Sequence, residues 1–173
     1  QTITVDDTTL PDLTGCMATN LDSTYECSGS TGNFLAASAW NTANIAYLEG
    51  CATDLCGGIT VTSNYSNGAV EVPGCGNTFT LTVTYTITDA CNNSATLQGV
   101  FTVVDTSDPS ITCATQTTPV SCPGIPVWIA PTVSDVCDPS VTVTFTTDSI
   151  PGTCPQEYTL VRTWTATDDC GNT

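Results

Sequence analysis

Basic side chains are nearly absent from this chain. Its 173 residues contain one Lys or Arg (Arg162), no His and seventeen Asp or Glu, which gives a formal net charge of −16. Binding to nucleic acid or to an anionic membrane surface requires clustered cations. A catalytic nucleophile would also lack the His or Lys that commonly activates it. We therefore expect no nucleic-acid partner and no enzymatic activity.

Long apolar runs are missing as well. No stretch of the sequence approaches the roughly 18 apolar residues of a membrane-spanning helix, so we expect no membrane insertion. The first residues also lack the basic segment and apolar core of a secretory signal peptide. We expect that such a peptide was removed or lies far upstream.

Cysteine, in contrast, is abundant. The chain has eleven cysteines in 17.9 kDa, a density typical of small secreted domains in which disulfides compensate for thin cores. A metal cluster is disfavoured because the sequence has no Cys-x-x-Cys pair and no His. The cysteine content therefore predicts disulfides and an extracellular location.

An internal repeat divides the chain. Residues 79–94 (FTLTVTYTITDACNNS) and 158–173 (YTLVRTWTATDDCGNT) align without a gap and are identical at eight of sixteen positions. Residues 3–11 align in the same way with 101–109, where an apparent strand ends in an Asp-Thr linker before a Pro. We expect three segments: residues 1–6 as the last strand of a preceding domain, domain 1 at 7–104, and domain 2 at 105–173 without its last strand.

The apolar periodicity favours β-strands. Between positions 79 and 87 apolar residues occupy every odd position and Thr every even one, as in a half-buried antiparallel strand. Short strands of this kind separated by turns predict tandem immunoglobulin-like β-sandwiches, an all-β fold. Residues 33–48 break the pattern: they are rich in Ala and precede Gly50, which predicts a short helical insertion in unit 1.

The alignment also predicts disulfide partners, because equivalent cysteines should pair in equivalent ways. The equivalent positions are Cys27 and Cys122, Cys56 and Cys137, Cys75 and Cys154, and Cys91 and Cys170. In a sandwich the two turns that carry Asp and Cys meet at one end, so their cysteines should be joined. The predicted bonds are Cys56–Cys91, Cys137–Cys170, Cys27–Cys75, Cys122–Cys154 and Cys16–Cys51.

Cys113 is then left over. A free thiol is one explanation. The other is a partner just beyond Thr173, since Cys113 begins the first strand, near the expected place of the last one. In that case the chain is one two-domain period of a longer array, or residues 1–6 of a neighbouring chain complete unit 2 by strand addition.

Aspartates concentrate at the unit entries and in the cysteine turns. They are Asp6, Asp7, Asp54 and Asp89 for unit 1, and Asp105, Asp108, Asp135, Asp138, Asp168 and Asp169 for unit 2. Converging carboxylates are the ligands of Ca²⁺, which takes roughly six to eight oxygens. Ca²⁺ is therefore the candidate metal, and no other cofactor is expected. The alternative is that these side chains only form Asx turns.

Two motifs carry a family resemblance. Residues 165–173 (TATDDCGNT) and 103–109 (VVDTSDP) resemble hyalin-repeat-type, immunoglobulin-like modules of giant surface proteins, above all those of gliding and surface-attached Bacteroidota. The resemblance implies display on the bacterial cell surface and a structural or adhesive role in a fibre. The partners would be neighbouring repeats of the same fibre, held covalently or by strand addition in a pilus-like filament.

The sequence also contains candidate glycosylation sites and a candidate glycan-binding site. The resemblance implies O-glycosylation at Thr8, Ser23 and Ser149, each of which follows an Asp, and N-linked sequons occur at Asn64 and Asn92. A glycan-binding module is the alternative function. Its ligand site would be formed by exposed Trp40 and Tyr47 on the predicted helix, with surface glycans as partners.

Overall fold

The computed structural model describes residues 1–116, 120–121 and 124–173. The chain divides into two compact units, Gln1–Val104 and Asp105–Thr173. This boundary lies at the position where the internal alignment starts its second repeat. The described residues are mostly β, with one long helix and three disulfides.

Unit 1 contains one mixed sheet and a helix. Its elements are a 3-10 helix (Ala18–Leu21), β1 (Ser23–Glu26), α1 (Gly29–Cys51), β2 (Thr60–Ser63), β3 (Val70–Pro73), β4 (Phe79–Thr88) and β5 (Ser94–Val104). The strand order is β1-β5-β4-β2, and β3 also pairs with β4. β1 runs parallel to β5, and the other pairs are antiparallel. Residues 1–6, expected to form a strand, are exposed and lie outside the strands.

β4 is the centre of the sheet, and its alternation confirms the predicted half-buried strand. Leu81, Val83, Tyr85 and Ile87 are buried, while the Thr residues between them are partly exposed. A ladder of ten pairs joins β4 to β5, from Phe79 opposite Val103 to Thr88 opposite Ser94. The apolar face of this hairpin therefore provides one wall of the core.

The helix α1 provides the opposite wall, and it is longer than predicted. Its 23 residues extend past Gly50, and the N–H of Ala52 donates to the carbonyl oxygen of Leu48 at its end. Its buried residues are spaced three or four apart, as on one helical face: Asn33, Ala37, Trp40, Asn44 and Leu48. Phe34, on the same helix, is 62% exposed.

Buried amide and indole groups join α1 to the rest of the unit. Trp40 Nε1 donates to the Leu21 carbonyl oxygen at 2.8 Å. Asn44 Nδ2 donates to the same oxygen at 2.9 Å and to the Tyr85 hydroxyl at 3.1 Å. These bonds satisfy polar groups that would otherwise be costly to bury. They also join the buried face of α1 to Leu21 and Tyr85.

This packing differs from the expected sandwich. Every residue of unit 1 is described, and all five of its strands belong to one sheet. The layer that faces this sheet is α1, whose Trp40 ring lies 5.3 Å from the Phe101 ring and 6.3 Å from the Tyr85 ring, centroid to centroid. The pair of facing sheets is therefore not seen in unit 1, because the helical insertion occupies one face of its sheet.

Unit 2 has four strands in its described residues. They are β6 (Ser110–Thr112), β7 (Thr132–Ser134), β8 (Thr142–Pro151) and β9 (Tyr158–Thr167). β6 pairs with β7 and β8 with β9, both antiparallel. Arg162 extends over aromatic rings, with its Cζ atom 4.0 Å from the centroid of Phe145 and 4.4 Å from that of Trp128. Many apolar side chains stay exposed: Ile125, Val127, Val136, Phe145, Ile150 and Tyr158 are each more than half exposed.

No helix in the described part of the chain combines the length and the apolar character needed to cross a membrane.

The contacts of Trp40 lead to a stability prediction. We expect Trp40→Ala to lower the free energy of unfolding of unit 1 by about 3–5 kcal/mol, because it leaves a cavity and removes the bond to Leu21. Urea unfolding followed by circular dichroism at the helical band reports on unit 1, which contains α1.

Phe34→Ala is the matched control on the same helix, since Phe34 is 62% exposed. It should change stability by about 0.5 kcal/mol or less. Equal losses in the two variants would contradict the assignment of Trp40 to the core.

Candidate functional site

The entry of unit 1 is held by one asparagine. Asn93 donates from its backbone N–H to Asp89 Oδ1 at 2.9 Å and from Nδ2 to Asp89 Oδ2 at 2.8 Å. The same Nδ2 donates to the backbone carbonyl oxygen of Asp7 at 3.1 Å. Asn93 therefore ties the β4–β5 turn to the segment that enters the unit, across 86 positions of sequence.

Unit 2 repeats this arrangement atom for atom. Asn172 donates to Asp168 Oδ1 at 2.9 Å and to Asp168 Oδ2 at 2.8 Å. Its Nδ2 also donates to the carbonyl oxygen of Asp105 at 3.3 Å. Asp168 and Asn172 follow β9 as Asp89 and Asn93 follow β4. We call this five-atom arrangement, an Asn bound to a turn Asp and to an entry carbonyl, the entry clamp.

The entry clamps bring other acidic groups together. In unit 2, one carboxylate oxygen each of Asp105, Asp135 and Asp168 lies within 4.8 Å of the others. In unit 1, Asp7 and Asp54 contribute oxygens to a similar group, and its third member is the sulfur of Cys56. Asp7 and Asp54 thus lie close together in unit 1, and Asp105, Asp135 and Asp168 lie close together in unit 2.

The remaining predicted ligands do not belong to these two groups. Asp6, Asp108 and Asp169 are exposed. Asp138 is buried and accepts bonds of 2.7 Å from the backbone N–H groups of Ser140 and Asp169. Asp89 instead accepts bonds from the N–H groups of its own turn, as in an Asx turn.

The two groups differ in how well they fit Ca²⁺. This hard cation binds oxygen, so the three carboxylates of unit 2 match its preference and the thiol of Cys56 does not. One oxygen of the unit 2 carboxylates is already hydrogen-bonded: Asp135 Oδ1 accepts 2.7 Å bonds from the N–H groups of Cys137 and Asp138. The three carboxylates of Asp105, Asp135 and Asp168 could hold a cation, and calcium binding stays a prediction.

Hydrogen bonding also changes the acidity of the clamp aspartates. Burial raises the pKa of Asp168, but the bonds from the Asn172 side chain and from nearby backbone N–H groups outweigh it and hold this pKa below its usual value. Asp89 shows the same lowered pKa for the same reasons, with Asn93 as the donor. Both clamps therefore favour the charged carboxylate.

One predicted disulfide is wrong. Cys56 and Cys91 carry free thiols. The charge of Asp7, followed by burial and the charge of Asp54, raises the pKa of Cys56. Burial and the charge of Asp7 likewise raise the pKa of Cys91. A raised pKa keeps each of these two thiols protonated at neutral pH.

The other cysteines agree with the predicted pairing to different degrees. Cys16 is joined to Cys51, the expected partner, with a Cα–Cα distance of 5.3 Å. Cys27, Cys75, Cys137 and Cys170 are each disulfide-bonded. Cys122 lies outside the described residues, and its predicted partner Cys154 has a free, exposed thiol. Cys113 is also free and exposed, which both explanations allow, and a partner beyond Thr173 stays a prediction.

The proposed glycan-binding residues are not available as expected. Trp40 is 8% exposed, so the prediction that it is exposed is wrong: its indole is needed in the core. Tyr47 is half-buried, and its hydroxyl accepts bonds from the Met17 N–H at 2.9 Å and from Asn20 Nδ2 at 3.0 Å. The sequence did not indicate these contacts.

The candidate glycosylation sites fall into two groups. Thr8, Asn92 and Ser149 are exposed, and Ser23 is partly exposed on β1. Asn64 is engaged instead: its Nδ2 donates to the Gly68 carbonyl oxygen at 2.8 Å and its Oδ1 accepts from the Thr84 N–H at 2.8 Å. Modification of Asn64 would have to disturb this turn.

No protein-family model matches the chain, and no curated protein matches it significantly.

The clamp predicts a specific pH dependence. Because the pKa of Asp168 is lowered in the folded state, its contribution to stability is present at neutral pH and is lost as the pH falls below about 4. We expect Asp168→Asn to lower the unfolding midpoint at neutral pH and to reduce the further loss on acidification. Thermal unfolding across this pH range measures both effects.

Asp148→Asn is the charge-matched control, because Asp148 is exposed on β8. An equal change in pH dependence in both variants would show that the effect arises from net charge and not from the clamp.

The Cys16–Cys51 bond predicts a second stability effect. It closes a loop across 35 positions, for which chain entropy contributes about 4 kcal/mol. We expect the double variant Cys16→Ser, Cys51→Ser to lose stability on this scale in urea unfolding. Cys113→Ser, at a free and exposed thiol, is the control, and a loss no larger than in that control would contradict the expectation.

Proposed function

We propose that this chain is a structural and adhesive repeat segment of an extracellular bacterial surface fibre, built of tandem, mostly β modules stabilised by disulfides. The observation that carries the proposal is the duplicated entry clamp. Asn93 and Asn172 make the same three hydrogen bonds in two successive units, with matching partners. A chain that builds the same entry twice is well suited to an array in which each unit follows the last.

The chemistry of the chain supports an extracellular place for the fibre. Its disulfides belong to an oxidising compartment, where they compensate for the small core of each unit. Its charge of −16 keeps neighbouring fibres apart by mutual repulsion. In this proposal the partners are neighbouring repeats of the same fibre, and the location is the bacterial cell surface.

The helix of unit 1 fits the same role. It acts as a second layer over the sheet, with Trp40 in the core and Tyr47 bonded to the segment before β1. Its side chains are thus used to hold the module together. The glycan-binding alternative loses its main support, because Trp40 was its principal ligand residue.

The proposal predicts where the native protein is found. Antibodies raised against the chain should label the surface of intact producing cells, and protease treatment of intact cells should remove the label. Recovery of the antigen only from the cytosolic fraction of lysed cells would contradict the proposal. Denaturing electrophoresis of the surface material then separates a very large covalent array from a 17.9 kDa subunit.

A further inference from the structure

The β9 strand of unit 2 has one edge without a partner among the described residues. Its two-stranded sheet contains only β8 and β9. In unit 1, the equivalent strand β4 pairs with β2 and β3 on one side and with β5 on the other. An unpaired edge of this length exposes backbone N–H and C=O groups that can bind another strand.

β8 takes the place of β2 and β3, so the open edge is the one that β5 covers in unit 1. Val143 stands opposite Ala166 in unit 2, as Val61 stands opposite Ile87 in unit 1. The turn after β9 is also already formed, because Asn172 is bound to Asp168 as Asn93 is bound to Asp89. The open edge of β9 is therefore suited to pair with a strand like β5.

The chain itself contains a second segment of that kind. Residues 1–6 (QTITVD) align with 99–104 (GVFTVV), the end of β5, so that Ile3 matches Phe101 and Val5 matches Val103. In unit 1, Phe101 and Val103 are 2% and 3% exposed. Ile3 and Val5 are 84% and 93% exposed, and no strand includes them.

We propose that residues 1–6 of a second copy of this chain pair with the open edge of β9 in the register that β5 uses on β4. In unit 1, Phe101 is opposite Leu81 and Val103 is opposite Phe79. The donated strand therefore places Ile3 opposite Leu160 and Val5 opposite Tyr158, with Gln1 beside Arg162. This places two exposed apolar side chains against β9, where Tyr158 is itself 53% exposed.

The proposal rests on the proposed function and names the contact between successive subunits. The donor lies in unit 1 and the acceptor in unit 2, so the interface is heterologous and leaves one donor and one acceptor open after each addition. Such an interface extends into filaments or closes into rings. Mutual repulsion of chains with a net charge of −16 opposes it, so salt should promote it.

The test compares two double variants of the full chain. Ile3→Asp, Val5→Asp removes the apolar side chains that the register directs onto β9. Thr2→Asp, Thr4→Asp adds the same charge on the alternate face of the same segment. Sedimentation and light scattering from micromolar to millimolar concentration, in about 0.5 M salt to screen repulsion, measure the mass.

We expect the parent chain and the Thr2, Thr4 variant to show about a two-fold or larger rise above the 17.9 kDa monomer mass as concentration increases. The Ile3, Val5 variant should remain monomeric. Backbone amide exchange at residues 158–162 should slow on association of the parent chain and stay fast in the Ile3, Val5 variant.

Three results would overturn the proposal. The first is a parent chain that is monomeric at every concentration, and the second is loss of association in both variants. The third is association of the Ile3, Val5 variant like that of the parent, which would mean that β9 pairs with a different segment. A monomeric parent chain would leave the surface-fibre proposal standing for a covalent array. Cytosolic location of the antigen would instead overturn that proposal without affecting the measured association.

Discussion

The entry clamp is the interaction on which the rest of the structure depends. In each unit one asparagine, Asn93 or Asn172, binds a turn aspartate with both of its donors and the backbone of the entering segment with its side-chain amide. The turn aspartates are largely buried, and these bonds satisfy carboxylates whose burial without hydrogen bonds would be energetically costly. Through this contact the segment that enters each unit is held to the turn that follows β4 or β9.

The two units share this clamp but complete their cores differently. Unit 1 places a long helix over one sheet, and its buried aromatic cluster of Trp40, Tyr85 and Phe101 depends on that second layer. In unit 2 the position of Val83 is taken by Arg162, whose guanidinium lies over Phe145 and Trp128. A guanidinium can stack on aromatic rings at modest cost, which lets a polar group stand where unit 1 has an aliphatic core residue.

Equivalent cysteines differ in oxidation state between the two units. Cys137 and Cys170 are oxidised, whereas Cys56 and Cys91 remain thiols beside Asp7 and Asp54. Acidic turns lie beside both pairs, since Asp105, Asp135 and Asp168 are the unit 2 equivalents of Asp7, Asp54 and Asp89. Alignment of cysteines therefore predicts which positions are equivalent, but not whether they are oxidised.

Short-range patterns were enough to predict the alternation of β4 and a helix that includes residues 33–48, because both depend on residues that are close together in sequence. The burial of Trp40, the single sheet of unit 1 and the bonds of Asn44 could not be predicted in this way. They depend on which face of α1 contacts the sheet, and that face makes long-range contacts such as the hydrogen bonds from Asn44 to Leu21 and Tyr85, residues 23 and 41 positions away. Contacts between residues so far apart in sequence form only when the chain folds, so the local periodicity of the sequence does not predict them.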